Sequence, residues 1–138
     1  ASFIAFKDHM LQGGISLASY QFSENETQKN LPGVPTTSAN LRWTYSKDDW
    51  ELSIDGRFAG NYFADNANTV RIDHYGLANF EIQKQFHLKS ADITLGFSVF
   101  NLANTRYFDN IRINAFGGRF YEPAAGRQLL LSLKTVFE

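Results

Sequence analysis

The feature that most constrains this chain is the rhythm of its connections. Segments of strand length are joined by connections that are short at residues 7–9, long at 23–36, short at 46–49, long at 63–72, short at 87–90 and long at 105–125. A tight turn at every second connection lays consecutive segments side by side and puts all the long loops at one end. The expected architecture is therefore an antiparallel meander with one plain end and one elaborated end.

The segments themselves alternate as strands do. In residues 126–137, Leu129, Leu131, Leu133, Thr135 and Phe137 share one side, with Gln128, Leu130, Ser132, Lys134 and Val136 on the other. Residues 50–62 alternate most cleanly: Trp50, Leu52, Ile54, Gly56, Phe58, Gly60 and Tyr62 oppose Glu51, Ser53, Asp55, Arg57, Ala59 and Asn61. At ~3.3 Å per residue that span is about 40 Å, against ~17 to 20 Å for an ordinary globular strand. Residues 39–45, 78–86 and 92–99 follow the same period, and 2–6 read as the tail of a further strand. Residues 10–22 also read as a strand, but the apolar phase slips near Leu17, where a bulge or a change of burial is expected. IRINAF, residues 111–116, is a candidate hairpin arm inside the last long connection.

Composition narrows the class. The chain of 138 residues has 13 Phe, 6 Tyr and 2 Trp, a net charge of −1 and no cysteine. A near-neutral balance argues against a general nucleic-acid binder, and the missing cysteines exclude disulfides and thiolate chemistry. No apolar run approaches the ~18 residues of a membrane helix, but a tilted membrane strand needs only ~9 to 11 alternating residues. Two readings fit. In one, the face carrying Ile93, Leu95, Phe97, Leu129, Leu131 and Leu133 meets lipid; in the other it packs inside a soluble β-sandwich whose long loops hold a carbohydrate. Six full strands and the end of a seventh leave two bare edges, which hydrocarbon does not tolerate, so the membrane reading requires further strands.

Catalytic and metal chemistry find no constellation. Ser98 and Ser132 have no neighbouring base, and His9 and His87 fall at the short-turn end while His74 falls near the long loops. The segment GGR at residues 117–119 lacks the Lys-Ser/Thr and the helix of a phosphate loop. Neither a cofactor nor a metal is expected.

Two phrases near the end carry a resemblance. Asn101, Leu102, Asn104, Arg106 and Tyr107, followed by Gly118, Arg119, Tyr121, Glu122, Pro123, Ala124, Gly126 and Arg127, resemble the closing region of TonB-dependent outer-membrane receptors. Residues 31–45 and 62–80 look like earlier barrel segments of the same family, so the likeness spans nearly the whole chain. Two departures stand out: Glu138 follows the aromatic Phe137 on which the family usually ends, and the plug with most of the barrel is missing.

The resemblance implies an all-β, transmembrane antiparallel meander: residues 1–138 as the C-terminal segment, the last six or so strands, of a 22-stranded plugged outer-membrane barrel. It implies uptake of a scarce ligand, most often a ferric siderophore, driven by the TonB complex acting on the plug. The partners implied are the rest of the receptor, the TonB complex, the ligand and the surrounding lipopolysaccharide and lipid, with no nucleic acid. Short turns would be periplasmic and long loops extracellular. Edge strands at residues 10–22 and 126–137 would pair with strands supplied elsewhere. The polar row of Glu51, Asp55, Arg57, Glu81, Gln83 and Asp92 would line a lumen, hydrogen-bonded within itself.

At the mouth, Arg106, Tyr107, Arg119 and Tyr121, with Asn66 and Arg71, are the candidate ligand-binding residues. Guanidinium groups attract anionic iron chelates, rings cover flat organic parts, and Asn104, Asn110 and Asn114 offer polar edges. Against this, Pro123 and Gly126 serve equally as turn residues, and Arg119 and Arg127 equally as ion-pair partners of Glu122.

Overall fold

A computed structural model describes residues 2–23 and 29–137. The middle of the first long loop and Glu138 lie outside these described residues. Eleven strands occur in chain order: β1 (Ser2–Phe6), β2 (His9–Leu17), β3 (Thr37–Lys47), β4 (Trp50–Ala59), β5 (Tyr62–Phe63), β6 (Arg71–Ile72), β7 (Tyr75–Leu88), β8 (Ala91–Phe100), β9 (Phe108–Ile111), β10 (Tyr121–Pro123) and β11 (Gln128–Phe137). Seven of them form one sheet in the order β1-β2-β3-β4-β7-β8-β11. Every neighbouring pair in it is antiparallel. This is the expected meander. The pairs β5/β6 and β9/β10 are hairpins within the second and third long connections.

All short turns lie at one end and each is two residues long. Lys7 and Asp8 lie between the paired residues Phe6 and His9, Asp48 and Asp49 between Lys47 and Trp50, and Lys89 and Ser90 between Leu88 and Ala91. Lys7 and Asp48 take positive φ, 48° and 52°. Such turns fix the register, and the register carries the alternation across the whole sheet. Ile4, Leu11, Trp43, Ile54, Phe80, Val99 and Leu129 form one row through all seven strands. The next row, on the opposite face, runs Met10, Thr44, Ser53, Glu81, Ser98 and Leu130.

The two faces differ in what satisfies them. On the polar face Asn79 Nδ2 donates to Asp55 Oδ2 (2.7 Å) and Gln83 Nε2 to Glu51 Oε1 (3.1 Å), each pair directly opposed across β4 and β7. Gln85 reaches Asp92 (3.3 Å), and Arg42 reaches Ser53 (3.2 Å). Cross-strand pairs of this kind are how a sheet holds polar side chains in place. Thr44, Ser53 and Ser98 are buried there. The apolar face has no such closure within the described residues. Leu129, Leu131, Leu133 and Phe137 are 68%, 81%, 69% and 79% exposed, and among the described residues the buried apolar ones are Ala59, Ala64, Ile72, Ala91 and Val99. A soluble sandwich would lay a second sheet over those leucines; the described strands build one sheet with its greasy side uncovered. An apolar surface of this extent belongs against lipid or protein rather than water.

Several boundaries differ from the sequence expectation. Of the bulge or change of burial expected near Leu17, the second occurs: β2 pairs with β3 without a shift, becomes exposed over residues 15–17 and ends at Leu17. The phase slip marks the end of the strand, since Ala18, Tyr20 and Phe22 already lie in the loop, where Ala18 N donates to Thr36 O (2.9 Å) and Gln21 bridges to Asn30. The edge strand is β1, so residues 9–13 of β2 have paired neighbours on both sides, while among the described residues 14–17 pair with β3 alone. The alternation of residues 50–62 is interrupted after Ala59, where Gly60 lies so close to Thr37 that a Cβ would meet its backbone nitrogen and oxygen within 3.2 Å. The last strand starts at Gln128, and the hairpin arm uses Phe108–Ile111 and Tyr121–Pro123 instead of residues 111–116.

One contact sets β11 against β8. Gly96 pairs with Ser132, and a Cβ at position 96 would collide with the Ser132 hydroxyl.

Candidate functional site

Three long loops meet at the end opposite the short turns, and asparagines tie them together. Asn30 N donates to Asn68 Oδ1 (2.7 Å) and Asn68 Nδ2 to Asn30 O (2.9 Å), joining the first loop to the second. Asn66 N donates to Asn114 Oδ1 (2.9 Å), and Asn114 N donates to Ala64 O (2.9 Å), joining the second to the third. Gly33, at φ 79°, donates its N–H to Phe63 O (2.7 Å), and a Cβ there would stand 3.0 Å from Ile113 Cδ1. Asn68, Asn101, Asn104 and Asn114 all adopt positive φ, between 52° and 57°. Asparagine tolerates that region better than other residues with a Cβ and spends its side chain on nearby backbone.

Asp65 closes the tip of the second loop. Its Oδ2 accepts from Thr69 Oγ1 (2.6 Å) and its Oδ1 from the N–H groups of Thr69 and Val70 (2.9 Å each). Those bonds, the Thr69 hydroxyl first, hold its carboxyl below the usual carboxylate range. In the third loop Glu122 accepts from Asn110 Nδ2 (3.0 Å) and pairs with Arg112, whose Nε lies at 2.6 Å. The Asn110 bond and then Arg112 hold its carboxyl low in the same way. Arg112 therefore takes the place in which Arg119 or Arg127 was expected.

The two phrases near the end of the chain meet in space. Asn101 is buried; its N–H donates to Asn79 Oδ1, its Nδ2 to Thr105 O, and its Oδ1 accepts from Thr105 N, all at 2.8 Å. Asn104 Oδ1 accepts from Arg127 N (2.9 Å), and a Cβ on Gly126 would lie 2.8 Å from that same oxygen. Asn101, Asn104 and Gly126 thus hold the base of the third loop closed, which supports the turn role for Gly126.

Against this scaffold lies a cleft of about 350 Å³ lined by Arg71, His74, Arg106, Tyr107, Phe108 and Tyr121 among others. Tyr107 stacks on Tyr75 with ring centroids 5.0 Å apart, and Tyr121 leans on Phe108 at 4.5 Å. Arg71 faces Asp73 at 3.7 Å in an exposed pair, while Arg106 forms no ion pair among the described residues. The cleft brings together four of the six candidates: Arg71, Arg106, Tyr107 and Tyr121. Arg119 is exposed just after the turn Phe116–Gly118 and lies outside the cleft lining. Asn66 also lies outside it, its amide N–H and side chain both engaged with Asn114. Of the asparagines expected to meet polar edges of a ligand, Asn104 uses its Oδ1, Asn110 its Nδ2 and Asn114 both side-chain groups in bonds within the loops. Sequence reasoning missed His74 and Phe108; the only signal for them is adjacency to Tyr75 and Tyr107.

A single antiparallel meander with one apolar face, a hydrogen-bonded polar face, short turns at one end and interlocked loops at the other defines a segment of an outer-membrane-type β-barrel. Residues 6–102 match the family of TonB dependent receptor-like β-barrels, and the chain belongs to that family. Its members are outer-membrane transport receptors and not enzymes. Among solved structures, the unliganded ferric citrate transporter FecA is similar over 95% of this chain and 21% of its own, at 20% identity and a TM-score of 0.82. The ferric-catecholate import receptor Fiu of E. coli K12 matches over 96% and 19%, at 20% identity and 0.74. BauA, the ferric preacinetobactin receptor of Acinetobacter baumannii, matches over 96% and 20%, at 15% identity and 0.77. At these identities the likeness is one of fold, and the chain spans about a fifth of the length of these structures.

Proposed function

We propose that this chain is the C-terminal segment, residues 1–138, of a 22-stranded plugged receptor that imports a ferric siderophore or a similar anionic iron chelate. Strands β1 and β11 are the edges at which the remainder of the receptor joins the sheet. Energy comes from the TonB complex through the plug, which lies in the rest of the receptor. The short turns are periplasmic, the long loops are extracellular, and the apolar face meets lipid, including lipopolysaccharide. Three of the solved proteins with this fold are a ferric citrate transporter, a ferric-catecholate import receptor and a ferric preacinetobactin receptor, and that shared chemistry supports the ligand class.

The observation that carries the reading is the cleft. Two guanidinium groups, Arg71 and Arg106, stand among the rings of Tyr107, Phe108 and Tyr121 on a platform held rigid by asparagine bridges. Fixed cations attract an anionic chelate without reorganisation, and aromatic faces cover its organic part. Arg119 and Asn66 sit outside the cleft lining, so the weight falls on the four residues within it. Replacing Arg71 and Arg106 together by alanine in the full receptor is expected to weaken binding of an anionic ferric chelate by roughly tenfold or more, at unchanged surface level. Arg119→Ala is expected to change it little. Wild-type binding across ferric citrate and catecholate complexes in the double variant would overturn the assignment.

A further inference from the structure

We propose that the short-turn end of the apolar face binds one anionic glycerophospholipid, its phosphate set between the ammonium groups of Lys47 and Lys84 and an acyl chain lying in the groove beside them. This rests on the reading of the apolar face as lipid-facing and of the short turns as periplasmic.

The register creates the site. Lys47, Trp50, Lys84, Leu95 and Leu133 form one row across β3, β4, β7, β8 and β11. Two cations therefore flank one tryptophan on a face that is otherwise apolar at this level. With strands ~4.8 Å apart, the Cα atoms of Lys47 and Lys84 stand about 10 Å from each other, within reach of one oxyanion for two four-carbon side chains. Lys84 Nζ lies 4.6 Å from the Trp50 ring centroid and 5.3 Å from that of Phe86. These rings hold the ammonium along the surface of the sheet and leave it hydrogen-bond donors to spare.

The missing element is a counter-charge. Neither lysine forms an ion pair among the described residues. Of the nearby carboxylates, Glu51 and Asp92 belong to the opposite face, where Gln83 and Gln85 already bind them, and in the turn Asp48–Asp49 between Lys47 and Trp50 it is His87 that Asp49 faces, at 3.5 Å. A cation at the rim of hydrocarbon finds its partner in a lipid headgroup, and an anionic phosphate satisfies two ammonium groups at once. From Lys84, with Lys47 on the far side of Trp50, runs an apolar groove of about 470 Å³, walled by Trp50, Leu95, Phe97, Leu131 and Leu133. Charge at its mouth and grease along its length match the two parts of a phospholipid. The commitment to a glycerophospholipid follows from the end of the sheet at which the site lies, because lipopolysaccharide occupies the opposite leaflet.

The test uses the full receptor in detergent, incubated with phosphatidylglycerol, phosphatidylcholine or lipid A and examined by native mass spectrometry. Wild-type protein is expected to retain one phosphatidylglycerol in preference to phosphatidylcholine by roughly tenfold or more. The variant Lys47→Met/Lys84→Met is expected to lose that preference, whereas Lys134→Met, on the polar face, keeps it. Raising the salt concentration before detergent exchange should erase the preference in the wild type, a readout independent of any variant's folding. Equal retention of both lipids, a preference that survives the double substitution or high salt, or displacement by lipid A would each overturn the proposal. If a spin label at Leu131 reports lipid contact while the preference is absent, the lipid site alone fails and the reading of the face stands.

Discussion

Asn66 and Asn114 hold each other across 48 positions of sequence: the Asn66 N–H donates to Asn114 Oδ1 at 2.9 Å, and Asn114 Nδ2 donates to Asn66 Oδ1 at 3.0 Å. The pair is exposed, yet it couples the tip of the second long loop to the third. A loop platform without such bridges would be three independent hairpins.

Asn114→Ala removes both bonds and leaves alanine at a backbone φ of 53°. The loss is expected to be about 1 to 2 kcal/mol, confined to the loops. Hydrogen exchange should accelerate at residues 64–70 and 112–115 while β3, β4 and β7 keep their protection. Unchanged exchange in both loops would show that the bridge carries no weight.

Tyr107→Leu keeps the apolar bulk but removes the ring stacked on Tyr75. The expected cost to the third loop is about 0.5 to 1.5 kcal/mol, with a lowered affinity for chelates that carry a planar organic part. Comparing a catecholate with a citrate complex in binding assays checks this, because only the catecholate offers a ring to stack.

Acidification should release the loops in a defined window. Asp65 and Glu122 both have folded-state pKa values lowered by their hydrogen bonds. Their contribution is present above the unfolded value, near ~4, and is lost as pH falls through the depressed folded values. Protection in residues 64–70, taken as exchange relative to the intrinsic amide rate at each pH, should therefore be flat from pH 8 to 5 and fall only below ~4. Asp65→Asn should show loosened loops at every pH with a smaller acid step, and an unaltered acid step would remove Asp65 from the account.

The strands were readable from sequence because a period of two, once anchored by two-residue turns, leaves little freedom. The face shared by Leu129, Leu131 and Leu133 was evident before any pairing was known, as was the polar row at Glu51, Asp55 and Gln83. The loops were less legible, because their order depends on asparagine contacts such as Asn30 with Asn68, 38 positions apart, which leave no periodic trace. The same limit explains Arg119. Its guanidinium and its place in the last long loop suggest a residue of the mouth, but the direction of the chain after Phe116–Gly118 is set by backbone geometry that composition does not encode. It also explains Arg112, which takes Glu122 through the β9/β10 register and not through nearness in sequence.

Spin labels at Leu131 and Ser132 should report opposite environments. The first should be quenched by a lipid-soluble reagent and the second by a water-soluble one, since the two side chains leave β11 on opposite faces. Leu131→Arg should destabilise the assembled barrel by ~2 to 4 kcal/mol if position 131 lies near mid-membrane, and by less near an interface. Equal quenching at the two positions would contradict the assignment of the faces.

The place where Gly96 receives Ser132 acts as a gauge for insertion. When β11 slides along β8 during assembly, a slip of two residues keeps every leucine on its proper face, so the alternation alone does not reject it. Such a slip would bring Leu130 or Lys134 opposite Gly96 and take Ser132 away from the residue whose missing Cβ leaves room for its hydroxyl. The pair Gly96 and Ser132 thus marks one alignment among those with the same facial pattern, and Gly96→Val is expected to disturb the β8/β11 register before it alters anything at the loop end.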